Sequence, residues 1–301
     1  MTASSVVMTA LLTAGMAGAS LVNDVREHVD AEDFAAADKA IQAYRSIRGV
    51  TPELMVAITW IARGELASKQ YDNADAHALE ARKLAIAEIQ MHKMDAEKQL
   101  PLALGAAIEV HGQVLAARGE RAEAIAFLRG ERTRFAGTSI AARIQKNILL
   151  LSLEGHPAPA LETAHWLGPQ PAATTGHPVL LFFWAHWCSD CKADIPVIAK
   201  IASVFGPKGL LVMGPTQHYG YVAGGEDATP EQETVYIEQV RKEYYAPLAA
   251  MPAPLSEKNF TNYGASTTPT LVLIDRHGIV RMYHPGAMRY EELAARVAAI
   301  I

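Results

Sequence analysis

The chain has only two cysteines, and they stand two residues apart in a segment with the pattern of a strand, a turn and a helix. The apolar run from Val179 to Phe183 has the length of a buried strand, and the amphipathic segment from Lys192 to Phe205 has the pattern of a helix. Cys188 and Cys191 lie between them. A bond between these cysteines would close too small a loop to add much stability. The pair is therefore expected to serve reversible chemistry.

The predicted helix start favours a reactive thiolate. Free N–H groups and the positive dipole end of a helix stabilise an anion, so we expect the pKa of the Cys188 thiol to fall below that of a free cysteine. The thiolate is the nucleophile in disulfide exchange. Cys191 would lie one helical turn away, close enough to resolve a mixed disulfide.

The second half of the chain has the pattern of an α/β domain. Short apolar runs typical of buried parallel strands occur at residues 179–183, 210–213 and 271–274. The segment from Thr229 to Tyr245 begins with a capping threonine, a proline at the first helical position and early glutamates. Strands that alternate with helices indicate an α/β fold.

The first half reads as helices only. Residues 21–153 are rich in Ala, Glu, Arg, Leu and Gln, and apolar residues recur at spacings of three and four. Turn residues predict breaks near Gly49, Gln70, Gly119 and Gly137. The stretch from Gly155 to Pro159 interrupts the helical pattern. We therefore predict an all-α domain over residues 20–154 and an α/β domain over residues 155–301.

Part of the helical half resembles the tetratricopeptide repeat. Gly112-x-x-Leu115-x-x-x-Gly119, followed by Ala124 and Leu128, matches the small and large positions of that repeat. The spacing from the similar Gly64 to Gly112 exceeds the ~34 residues of the usual repeat. The resemblance implies an irregular, repeat-like array, which either binds a protein partner or covers the other domain.

Residues 1–19 are expected to form a cleaved signal peptide, which would make the protein periplasmic or exported rather than cytoplasmic. Residues 6–22 are almost uncharged, and Ala17-Gly18-Ala19 has the small-x-small pattern of a cleavage site. The run is shorter than the ~20 residues of a membrane-spanning helix, so no integral span is expected. No Lys or Arg precedes it, which leaves a buried first helix as the alternative.

Charge and motifs narrow the classes of partner. The formal net charge of −5 argues against a nucleic-acid partner, since phosphate binding needs clustered Lys and Arg. A tetrahedral zinc site needs four ligands, and no second Cys-x-x-Cys or nearby pair of histidines completes one. We therefore expect no metal and no cofactor beyond the cysteine pair.

Two separate motifs resemble those of the thioredoxin superfamily. Trp184-Ala-His-Trp-Cys-Ser-Asp-Cys-Lys192, with Pro196 shortly after it, resembles the superfamily's redox motif. Ser266-Thr-Thr-Pro-Thr270, before an apolar run, resembles the segment in which the superfamily has a cis-proline. X-Pro bonds are the ones for which the cis form costs little. The resemblance covers residues 155–301 and implies a central sheet flanked by helices.

Within the superfamily the likeness is to the TlpA-like thiol-disulfide oxidoreductases, which are exported or membrane-anchored. The lead-in from Pro157 to Leu161 resembles their entry strand, and Asp194 stands where members usually carry Glu. The long stretch from Cys191 to Pro269 is typical of their insertion, here about residues 214–254.

The resemblance implies a role for each matched residue. Cys188 would attack a substrate disulfide, and Cys191 would resolve the intermediate. Asp194 would exchange a proton with Cys191. Trp187 would shape an apolar lip, and Thr268–Pro269 would offer a backbone edge to an extended substrate segment. The partners would be protein thiols and disulfides together with an upstream electron donor.

Some residues depart from the thioredoxin pattern. Phe182 replaces thioredoxin's buried acid, so proton handling cannot use that position. Asp190 adds negative charge beside the sulfurs, which predicts a potential nearer the about −270 mV of thioredoxin than the about −120 mV of a strong oxidant. We expect His186 to face solvent, with a residue that tunes the thiol as the alternative. Residues 215–226 are expected to form a packed connector, with a substrate-facing loop as the alternative.

The sequence therefore predicts a thiol-disulfide oxidoreductase that acts as a reductase of protein disulfides. The alternative is a redox-linked adaptor whose helical domain binds a partner protein. A peroxidase is disfavoured because residues 182–188 lack the Pro-x-x-x-Thr-x-x-Cys setting that peroxiredoxins use.

Overall fold

The computed structural model describes residues 20–171 and 174–301. The expected signal peptide, residues 1–19, lies outside the described residues. The first half is all-helical and the second half is α/β, as the sequence predicts. The helices of the described first half are α1 (Leu21–Asp30), α2 (Phe34–Arg48), α3 (Pro52–Ala67), α4 (Tyr71–Glu88), α5 (Gln99–Ala117), α6 (Arg121–Arg134) and α7 (Ala141–Ser152).

The helices begin where the sequence supplies a cap. The Ser20 side chain accepts a hydrogen bond at the start of α1, and the Thr51 side chain accepts one from the Leu54 N–H at the start of α3. These oxygens satisfy N–H groups that a helix start leaves unpaired. The predicted breaks are confirmed, since each separates two consecutive helices: Gly49, Gln70, Gly119 and Gly137.

Helix α5 is central to this half. It packs against α3, α4, α6 and α7, and side chains such as Leu104 and Ile108 are fully buried. Among the residues that the structure describes, α5 is also the one helix with the length and apolar composition to cross a membrane, with a mean hydropathy of 1.4. Because 56% of that stretch is buried inside the protein, packing in a helical core accounts for its composition.

Glycines lie where helices approach closely. A Cβ on Gly64 of α3 would stand 2.5 Å from Cγ1 of Val29 in α1. A Cβ on Gly112 of α5 would stand 3.0 Å from the side chain of Leu128 in α6. A larger side chain at either position would push these helices apart. Small residues act in this way in tetratricopeptide pairs, but the repeat-like organisation stays a prediction.

The second half is built on a four-stranded sheet of order β3-β2-β5-β6 and a two-stranded sheet of β1 and β4. Its elements are β1 (Trp166–Leu167), β2 (Val179–Phe183), α8 (Ser189–Phe205), β3 (Leu211–Met213), α9 (Pro230–Tyr244), β4 (Ala253–Pro254), α10 (Glu257–Asn262), β5 (Thr270–Ile274), β6 (Val280–Pro285) and α11 (Tyr290–Ala298). Helices pack on both faces of the larger sheet, which confirms the predicted fold class.

The expectation of parallel strands is only partly right. Strand β2 is parallel to β3 but antiparallel to β5, and β5 is antiparallel to β6. Both β2 and β5 are buried along their whole length. A strand covered on both faces needs a continuous apolar run in either direction, so composition alone could not show the direction of β5.

The two faces of the sheet contact different layers. Leu180 and Phe182 belong to the core beside α8 and α11, whereas Leu181 and Phe183 belong to the opposite core. Leu149 and Leu153, from α7 and the residue after it, join that opposite core. The last helix of the first half therefore forms part of the packing of the sheet.

The lead-in segment is not the strand that the resemblance implied. Residues 157–161 contain no regular strand, and Pro157 makes only an isolated bridge to Ile279. Pro157 and Pro159 have no N–H to donate, so they cannot continue a ladder of hydrogen bonds.

Helix α7 also contacts the segment before β5. Gly264 has a φ of 56°, and a Cβ there would stand 2.4 Å from the backbone nitrogen of Lys146 in α7. Only glycine fits so close to the α7 backbone. The residue before it is also fixed, since the Tyr263 carbonyl oxygen accepts a hydrogen bond from the Tyr283 hydroxyl at 2.8 Å. The first half thus holds the segment that leads to Thr268–Pro269.

Candidate redox-active site

Both cysteines lie at the start of α8 and are joined in a disulfide. The Sγ atoms are 2.12 Å apart, and the Cα atoms are 5.3 Å apart. Cys188 is the N-cap residue of α8, and its Sγ accepts a hydrogen bond from the Cys191 N–H at 3.0 Å. In the reduced protein the same N–H group and the helix dipole would stabilise a thiolate at Cys188.

The loop between β2 and α8 is held by the loop that follows β3. The Trp184 indole N–H donates to the Gly214 carbonyl oxygen at 2.9 Å, and the Trp184 carbonyl oxygen accepts from the Thr216 hydroxyl at 3.0 Å. The Trp184 ring also packs on Tyr245, with 4.3 Å between ring centroids. These contacts position the residues that lead to Cys188.

Exposure distinguishes the residues around the disulfide. Trp187 is 49% exposed, Cys188 is 3% exposed and Cys191 is fully buried. Trp187 is therefore the most accessible of these three residues, and Cys188 is the more accessible of the two cysteines. Asp190 is exposed in the first turn of α8, so its charge lies at the surface beside the disulfide.

Asp194 is buried one helical turn after Cys191. Residues three apart on a helix share a face. Asp194 is 5% exposed, and its Oδ2 atom has no hydrogen-bond partner in the described part of the chain. Burial raises the pKa of the Asp194 carboxyl to about 6, and His284 opposes this with a smaller effect. The carboxyl can therefore gain or lose a proton near neutral pH.

The Thr268–Pro269 junction lies at the same end of the sheet as the redox loop. Its peptide bond is cis, as the resemblance to the thioredoxin superfamily implies. Phe183, the last residue of β2, pairs with Thr270, the first residue of β5. Antiparallel register therefore places Trp184 and Pro269 at the same end of the sheet.

The expectation that His186 faces solvent is wrong. Its exposure is 1%, and its Nε2 lies 3.1 Å from Oε1 of Glu233 in α9. Burial lowers the pKa of the His186 imidazole, although Glu233 opposes the effect. The neutral ring then donates its Nε2 hydrogen to the carboxylate. Sequence reasoning missed this pair because its members stand 47 residues apart with no local pattern that joins them.

No group of three His, Cys, Asp or Glu side chains in residues 20–171 and 174–301 is arranged to hold a metal ion. The buried carboxyl of Asp194 and the exposed indole of Trp187 lie close in sequence to the disulfide.

Comparisons with known proteins agree with this geometry. The model of a thioredoxin-like domain family matches residues 170–301. A thiol:disulfide interchange protein DsbE of Xylella fastidiosa is 31% identical over 154 residues, which are 50% of this chain and 70% of that protein. The thiol-disulfide oxidoreductase ResA of Geobacillus thermodenitrificans is 22% identical over 129 residues, which are 42% of this chain and 64% of that protein.

Solved structures include similar chains. The exposed lipoprotein thioredoxin of Streptococcus pneumoniae has 26% sequence identity and a TM-score of 0.33, and the match covers 42% of this chain and 86% of that chain. The DsbE relative shares enough identity over enough of its length to assign the family. Through its second half, the chain belongs to the thioredoxin-like thiol-disulfide oxidoreductases.

Proposed function

We propose that the chain reduces disulfides in protein substrates and that Cys188 is the attacking residue. The observation that carries this proposal is the position of Cys188 as the N-cap of α8, where its Sγ accepts the Cys191 N–H at 3.0 Å. A charge-assisted hydrogen bond and a helix N-terminus both favour the thiolate form.

The exchange proceeds in two steps. The Cys188 thiolate attacks one sulfur of a substrate disulfide, so that a mixed disulfide forms and the other substrate sulfur leaves as a thiolate. The Cys191 thiolate then attacks Cys188 Sγ, and the second substrate sulfur leaves. The substrate gains two electrons and the cysteine pair becomes a disulfide. A dithiol electron donor must reduce the pair again before the next turnover.

Asp194 is proposed as the proton acceptor for the second step. Cys191 must lose its thiol proton before it can attack, and it is fully buried. Asp194 lies one turn away on the same helix, and burial raises the pKa of its carboxyl to about 6. A carboxyl with a pKa close to the working pH transfers protons efficiently in both directions.

Trp187 and Thr268–Pro269 are proposed to contact the substrate. The half-exposed indole of Trp187 stands next to Cys188 in the chain, and Thr268–Pro269 lies at the end of the sheet from which the redox loop starts. An extended segment beside the disulfide could pair with the backbone there and rest on the indole.

We further propose that the helical half supports recognition of protein substrates. The packing of Leu149 and Leu153 in the core of the sheet supports a fixed arrangement of the two halves.

We also propose that the protein acts outside the cytoplasm. Fusion of residues 1–30 to alkaline phosphatase tests export, since that reporter is active only after translocation. An inactive fusion would argue for a cytoplasmic protein.

Two measurements test the redox proposal. Reduced protein should cleave insulin disulfides with dithiothreitol as donor, and Cys188→Ser should abolish turnover. Cys191→Ser should accumulate mixed disulfides with several proteins of a cell extract. If the wild-type protein does not turn over, and one partner binds regardless of Cys188, the chain is an adaptor and the proposal fails.

A further inference from the structure

The inserted segment between β3 and β4 is fastened to the redox loop by one buried carboxylate. Glu233 of α9 is fully buried. Its Oε1 accepts hydrogen bonds from His186 Nε2 at 3.1 Å and from the Tyr219 N–H at 2.6 Å, and its Oε2 accepts from the Gly220 N–H at 2.8 Å. Glu233 thus ties His186, from the redox motif, to the start of the inserted loop.

Aromatic rings pack around the His186 ring. Tyr219, Tyr221 and Tyr236 each meet the His186 ring edge-on, with centroids 5.3 to 5.5 Å apart. Tyr219 also packs edge-to-face on Trp187, with centroids 5.5 Å apart. The half-exposed indole of Trp187 therefore rests on a residue of the insertion, and that residue is placed by Glu233.

The chemistry of the anchor is specific. An ionised carboxylate costs several kcal/mol to bury unless hydrogen bonds compensate for its lost hydration. Three N–H groups converge on Glu233, and a carboxylate is the side-chain group that only accepts hydrogen bonds. A glutamine has one acceptor oxygen, and its NH₂ group would face an N–H donor on one side. The arrangement therefore selects a charged residue that holds its neighbours in one geometry.

We propose that Glu233 is a positioning residue that fixes Tyr219 behind Trp187. Tyr219 of the insertion and Trp187 then form one wall of the surface that receives protein disulfides. The inference rests on the proposed reductase function. The favoured substrates are polypeptides with apolar side chains beside the disulfide, since the rings of Trp187 and Tyr219 present an apolar face. Small disulfides react at Cys188 without using this wall.

The test compares Glu233→Gln and Tyr219→Ala with the control Glu231→Gln. Glu231 is an exposed residue of the same helix, so the control makes the same chemical change without touching the anchor. Each variant is assayed for reduction of insulin and of cystine. Its equilibrium constant with glutathione is measured as well. Tyr219→Ala keeps Glu233 and its backbone contacts, so it provides a test if Glu233→Gln folds poorly.

Both test variants should raise KM for insulin by roughly three- to tenfold, the factor that loss of one aromatic contact predicts. We expect kcat for insulin, the rate constant for cystine and the equilibrium constant with glutathione to stay within about twofold of wild type. The ¹⁹F resonance of 5-fluorotryptophan at position 187, assigned with Trp187→Phe, should shift in both variants. The control should match wild type throughout.

Other results would overturn the inference. A parallel loss of insulin and cystine reduction, or a changed equilibrium constant with glutathione, would place the effect at the sulfurs or in general stability. Unchanged kinetics in both variants would make the insertion a connector only. A wild-type protein that reduces neither disulfide would instead refute the proposed function, which keeps the two failures distinct.

Discussion

Replacement of Asp194 by asparagine should stabilise the oxidised protein at neutral pH but not at acid pH. Burial raises the pKa of this carboxyl from its ordinary 3.8 to about 6. Between these two values the unfolded chain loses the proton while the folded chain keeps it, so wild-type stability falls as the pH rises. Above pH 6 the loss is complete. Asparagine has nearly the same shape and no charge to desolvate.

The magnitude follows from the two pKa values. A tenfold change in an ionisation constant is worth about 1.4 kcal/mol, so the folded protein loses at most about 3 kcal/mol through Asp194. Water that reaches the carboxyl would reduce this, and we expect about 2 kcal/mol. The free energy of unfolding of Asp194→Asn, relative to wild type, should therefore rise by that amount between pH 4 and pH 7.5.

Urea unfolding of both oxidised proteins at pH 4, 5.5 and 7.5, followed by tryptophan fluorescence, measures this difference. Asp190→Asn is the matched control, since Asp190 is exposed on the same helix. The difference in free energy of unfolding between Asp190→Asn and wild type should change by no more than about 0.5 kcal/mol over that range. An Asp194→Asn difference that is the same at pH 4 and pH 7.5 would refute the claim that the folded protein desolvates this carboxylate.

Three further predictions test other parts of the account. Equilibration with glutathione should give a potential more reducing than about −180 mV, and a more oxidising value would contradict the effect assigned to Asp190. Gly264→Ala should lower the free energy of unfolding by about 2 to 4 kcal/mol because its Cβ would meet the α7 backbone. Gly278→Ala, at a positive φ of 78° with nothing within 4 Å, should cost only about 1 kcal/mol, and equal costs in urea unfolding would contradict the close contact. Although burial opposes the effect, Arg143 and Lys146 lower the pKa of Glu109 to about 2. Glu109→Gln should therefore lower the free energy of unfolding by about 2 kcal/mol at pH 7, and by progressively less as the pH falls from 4.5 towards 2. A loss of stability that does not depend on pH would argue against the ion pairs.

Elements with strong local signals were predictable from the sequence. Strand β2 was predicted at its observed bounds because its five residues are all apolar and buried. Helix α9 begins at the predicted cap, where the Thr229 hydroxyl accepts a hydrogen bond from the Gln232 N–H and the Gln232 side-chain oxygen accepts one from the Thr229 N–H. Both signals lie within a few residues of the element that they define.

Features that depend on distant contacts were not predictable. Strand β6 was missed because its exposed Arg281 and partly buried His284 interrupt the apolar pattern. The break between α4 and α5 was missed because residues 89–98 contain no Gly or Pro. The contact between His186 and Glu233 needs the folded segment between β3 and β4, so no local pattern could have indicated it. Tertiary structure decides such features.

The thiolate at Cys188 is the central claim, and the pH dependence of its alkylation in the reduced protein tests it most directly. Iodoacetamide labelling from pH 4 to pH 10, with the labelled site assigned by mass spectrometry, follows each thiol separately. We predict that Cys188 is labelled first and that its midpoint lies at least about one pH unit below that of a free cysteine. Labelling of Cys191 first, or a Cys188 midpoint equal to that of a free thiol, would contradict the account.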